Sequence, residues 1–81
     1  MFFAVMLKPQ MRRHEVLFGS EWPFASDARF IAEYSGQRNG RGAAIVESAA
    51  PPAGLKIRAV AVSTLQQGFE LAREMIEGKF V

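Results

Sequence analysis

The chain has 81 residues and a formal charge of +2, and 49% of its residues are apolar and 22% charged. That length allows one domain, and that composition excludes a disordered chain, which needs low hydrophobicity and high net charge. The absence of cysteine excludes disulfide staples, thiolate metal sites and thiol chemistry, and a reducing, cytoplasmic setting is the simplest fit.

Phe2 to Leu7 is apolar throughout, too short for a helix, and stopped by Lys8-Pro9. It reads as a strand buried on both faces, since proline cannot continue a hydrogen-bonded ladder. It is not read as a secretory leader: no basic segment precedes it, and Lys8-Pro9 stands where small residues should mark cleavage. No run approaches the ~20 apolar residues of a membrane span. His14 to Phe18 is a second candidate strand, closed by Gly19-Ser20. The loop after it carries three large apolar residues, Trp22, Pro23 and Phe24.

Residues 26–48 support two readings. In one, Ser26 or Asp27 caps a short helix at 27–35 with Phe30, Ile31 and Tyr34 on its apolar side and Gly36 at its end. In the other, Asn39-Gly40 is the two-residue turn of a hairpin. Arg38 then faces Arg41 and Tyr34 faces Ile45, with Ile31 out of phase with the alternation. The Asn-Gly signal favours the hairpin, and the helix stays open. Ala43 to Ser48 is a strand in both. Ala49-Ala50-Pro51-Pro52-Ala53-Gly54 is a stiff connection. Leu55 to Val62 alternates, with Leu55, Ile57, Ala59 and Ala61 on one face and Lys56, Arg58, Val60 and Val62 on the other. The small alanines are expected to lie beneath a helix.

That helix is the most legible element. At the helical period, Leu65, Gly68, Phe69, Leu71, Ala72, Met75 and Ile76 form one arc of roughly 160°, wider than the ~100° stripe of a surface helix. Gln66, Gln67, Glu70, Arg73, Glu74 and Glu77 form the other. Ser63 with Gln66 fits a capping box and Gly78 fits the left-handed residue past the end. The predicted fold is therefore α+β: one compact domain, 1–81, with an antiparallel sheet of three to four strands and a C-terminal amphipathic helix on one face. One helix covers one face of a sheet, so the apolar residues on the other face need a cover of their own.

Chemistry leaves little trace. The one histidine, His14, lies next to Glu15 in a predicted strand, where adjacent side chains point to opposite faces. No nucleophile elbow, phosphate-binding loop or dinucleotide fingerprint is present. Neither an enzymatic activity, a metal nor a small-molecule cofactor is expected. The leading expectation is a non-catalytic protein that binds a protein partner or itself through the face opposite the helix, using Trp22, Phe24, Val60 and Val62 as anchors. Its size and plainness match a mobile-element accessory or inhibitor protein, with no motif behind that likeness. The alternative is nucleic-acid binding through Arg12, Arg13, Arg38 and Arg41, the last two flanking the predicted turn. Residues 1–41 hold six Lys or Arg against four Asp or Glu, a slight basic bias and no more.

Overall fold

A computed structural model of the chain describes residues 1–7, 23–25, 27–36, 41–53 and 58–78. Among these residues lie four strands, β1 (Phe2–Leu7), β2 (Arg29–Ser35), β3 (Gly42–Glu47) and β4 (Ala59–Val62), followed by one helix, α1 (Leu65–Glu77). The strands form one sheet in the order β2-β3-β1-β4, and every neighbouring pair is antiparallel. This is the expected α+β architecture. The candidate strand at His14–Phe18 lies outside the described residues, as do residues 55–57 of the expected Leu55–Val62 strand.

The central strands are apolar on both sides because both sides are buried. Phe3, Val5 and Leu7 of β1 join Ala44 and Val46 of β3 on one face, while Ala4 joins Ala43 and Ile45 on the other, beneath α1. All eight are at most 7% exposed, so neither face of the sheet centre is open to water.

Residues 27–35 do not form a helix. From Arg29 they form β2, where Phe, Ile and Tyr are favoured strand residues, and the hairpin with β3 supplies their ladder partners. Its register differs from the expected one. Tyr34 lies opposite Ala43, Ser35 opposite Gly42, and the Gly36 N–H bonds to the Arg41 carbonyl. This register sets Gly36, not Arg38, opposite Arg41; residues 37–40 lie outside the described residues. A shift of two keeps each side chain on the same face, so burial patterning could not have detected it.

Ile31, out of phase in the sequence, sits at a β-bulge. The pairing jumps from Phe30–Val46 to Ala32–Ile45, leaving Ile31 as the extra residue. Phe30 consequently packs on the Phe3–Val46 side, while Ile31, Ala32 and Tyr34 pack on the helix side. The alternation was real but reversed phase halfway along.

The orientation expected for β4 is corrected. Val60 pairs with Ala4 and Val62 with Phe2, and Val60 belongs to the cluster under α1. Ala59 packs on the opposite face, and Ala61 is exposed. Alternation places residues on two faces without saying which face the helix takes. The room for α1 comes from Ala4 and Ala43 in the central strands, not from the alanines of β4.

The helix ends are capped from its own sequence. Thr64 is the N-cap, its Oγ1 accepting from the Gln67 N–H at 3.2 Å, and Gln67 Oε1 accepts from the Ser63 N–H at 3.0 Å. The capping box is thus one residue later than the Ser63–Gln66 pair. Gly78 ends the helix at φ 75°, a conformation that costs other residues about 1–2 kcal/mol.

Two glycines and a serine separate close packing from tolerance. A Cβ on Gly36 would come within 2.8 Å of the Arg41 carbonyl oxygen and 2.9 Å of Ile76 Cγ2. A Cβ on Gly68 would meet Val62 Cγ2 at 3.4 Å and Ile45 Cδ1 at 3.5 Å, ordinary contact. Gly36→Ala is expected to destabilise by about 1–3 kcal/mol through overpacking. Gly68→Ala is expected to stabilise, by up to the ~1 kcal/mol helix-propensity difference. Urea unfolding checks both; a destabilised Gly68→Ala would mean that α1 is seated more tightly than these distances state. Ser48 is buried, and its hydroxyl has no hydrogen-bond partner among the described residues. Ser48→Ala is therefore expected to be neutral or to stabilise by about 1 kcal/mol, since it removes an uncompensated buried polar group; a clear loss in the same assay would reveal a partner for that hydroxyl.

Candidate protein-interaction surface

The face opposite α1 was the expected contact surface. It is filled by the chain itself. Pro23 accepts a hydrogen bond from the Ala53 N–H at 3.0 Å, and Ala28 N–H bonds back to Ala25 at 3.0 Å. These two ties hold the intervening segment over the sheet, and Phe24 descends from it onto Phe3. The ring centroids lie 5.3 Å apart, tilted by 55°, a geometry worth about 0.5–1.5 kcal/mol beyond area burial. At 7% exposure, Phe24 is a core residue of the isolated chain and not an open anchor. Val60 and Val62 lie on the helix side and leave the set of far-face anchors. Trp22 lies outside the described residues.

The four arginines of the nucleic-acid alternative are not seen as a group. Arg12, Arg13 and Arg38 lie outside the described residues. Arg41 is exposed, and its guanidinium lies against Gly78, occupying the space a Cβ there would need. That places a cation at the C-terminus of α1, whose own last turn carries no basic residue. Helix C-termini concentrate partial negative charge from unpaired carbonyls, and a nearby cation contributes about 0.3–1 kcal/mol. The arginine singled out as a hairpin-tip ligand for phosphate thus has a local structural role.

Among the described residues, the outer strands of the sheet are β2 and β4. The two edges differ. β4 has four residues and β2 has seven. A groove of about 290 Å³ runs beside β2, lined by Phe30, Ile31, Ala32 and Glu33, where the bulge bends the strand. The flank of α1 lies above this edge. Tyr34 meets Phe69 edge to face, with centroids 6.2 Å apart at 81°, and Leu65 lies one turn earlier on the same stripe. Leu65 and Phe69 are 37% and 38% exposed and, with Met1, are the exposed large apolar side chains of the described residues. Together these residues form a ledge: the longer outer strand of the described residues below, aromatic and aliphatic flank above. Sequence reasoning assigned Leu65 and Phe69 to the buried arc. What betrays them is the arc's width, which exceeds what a four-stranded sheet covers from an outer-strand side.

Other chemistry is sparse in the same region. Arg29 and Glu47 form an ion pair at 3.1 Å on the surface, of the kind worth about 0–1 kcal/mol. Among the described residues no three His, Cys, Asp or Glu side chains gather as a metal site, and no helix is long and apolar enough to cross a membrane. His14 lies outside them. Arg41→Gln should lower stability by about 0.3–1 kcal/mol, an effect that salt screens. Thermal melts at low and high salt test this, and an unchanged melting temperature at low salt would remove Arg41 from the helix terminus. No protein-family model, curated protein sequence or solved structure matches the chain.

Proposed function

We propose that the protein is a small non-catalytic interaction module that binds a protein partner along the outer edge of β2 and the adjoining flank of α1. The observation that carries this reading is the juxtaposition of β2, the longer outer strand of the described residues, with two of their exposed large apolar side chains, Leu65 and Phe69. The outer side of a sheet is a place where a second chain can add a strand. Strand addition uses backbone groups for affinity and neighbouring side-chain pockets for specificity. Here the groove beside Phe30, Ile31, Ala32 and Glu33 offers the pocket, and Leu65, Phe69 and Tyr34 offer apolar area beside it. The occupant is an extended segment of another protein. A basic side chain in that segment would complement Glu33, which is exposed on this strand.

The β2 border is favoured over the far face because Phe3, Val5, Leu7, Ala44 and Val46 are buried within one copy of the chain. A partner there would have to displace Phe24 and the segment that carries it. Burying a side chain of this size stabilises by roughly 1.5–3 kcal/mol, which any such partner would first have to offset.

Photocrosslinking in cells tests the proposal directly. A benzoylphenylalanine placed at Glu33 or Leu65 is expected to yield a discrete protein adduct, and one at Ala61 or Arg73 none. Leu65→Glu with Phe69→Glu should abolish the adduct while circular dichroism and the unfolding midpoint show the fold intact. An adduct of twice the chain mass would identify a second copy as the occupant. Adducts concentrated at Ala61, or lost on nuclease treatment, would overturn the reading.

A further inference from the structure

No further inference is drawn: the strongest candidate, antiparallel pairing of the β2 edge with the β2 edge of a second copy, belongs to the surface already described and carries nothing more, because the bulge at Ile31 sets Arg29 and Glu33 on opposite faces of the sheet, so that two copies bring no opposite charges together.

Discussion

The seat of α1 on the two central strands is the constraint on which the rest of the fold depends. Ile45 and Met75 are almost wholly buried, and Ala4, Ala43 and Ala72 surround them. Small residues at these positions let the helix axis come close enough for Ile45 and Met75 to fill the interface between them. A domain of this size buries only ~60% of its unfolded surface, and replacing a buried Ile or Met by Ala typically costs ~2–5 kcal/mol. Stability therefore rests on a few large side chains held by small neighbours. The ends of the helix are fixed to the same frame. Thr64 and Gln67 close its start just after β4, while Gly36, Arg41 and Gly78 meet at its end. The close approach at Gly36 locks the hairpin between β2 and β3 against Ile76, so the hairpin and the helix terminus are one packing unit.

The bulge at Ile31 decides how the outer part of the sheet uses its apolar residues. An unbroken β2 would send Phe30, Ala32 and Tyr34 to one face and Ile31 to the other. The extra residue divides them instead. Phe30 helps close the far face beside Val46, and Ile31, Ala32 and Tyr34 extend the cluster beneath α1. Both faces thus gain cover from a single short strand. The residues around the bulge, Phe30, Ile31, Ala32 and Glu33, also line a groove. Bulges also tend to discourage indiscriminate edge pairing.

Where sequence and structure agree, a strong local pattern faced a uniform environment. Phe2–Leu7 was legible because its apolar run has no alternative to a doubly buried strand, and α1 because its two arcs separate cleanly. The hairpin was legible in kind and not in register, because a slip of two residues changes no side chain's face and leaves no trace in hydropathy. The face assignment of β4 failed for a related reason. Alternation in Ala59–Val62 defines two sets, and only the partners on β1, Ala4 and Phe2, say which set lies under the helix. Phe24 was correctly noticed as a large apolar loop residue, but whether such a residue anchors a partner or its own core depends on hydrogen bonds such as Ala53 to Pro23, which join residues far apart in the chain. The candidate surface was the least legible part, since it arises from the width of the helix's apolar arc relative to the sheet beneath it, a comparison of two elements that no single segment contains.

These corrections move the functional argument from the sheet's faces to its border. With α1 on one side and Phe24 with Phe30 on the other, both faces of the sheet centre are buried within one copy of the chain. What stands at that border is the outer side of β2, the longer outer strand of the described residues, and the partly exposed Leu65 and Phe69 of α1 beside Tyr34. Isolated exposed apolar side chains are ordinary on a protein surface, and so are edge strands. Their coincidence is more restrictive, because a segment added to the edge would lie against the helix flank and bury both at once. The hydrogen bonds would fix its direction and the flank would select its side chains. A surface that combines the two can discriminate among partners with few residues, which suits a chain with so little area to spare.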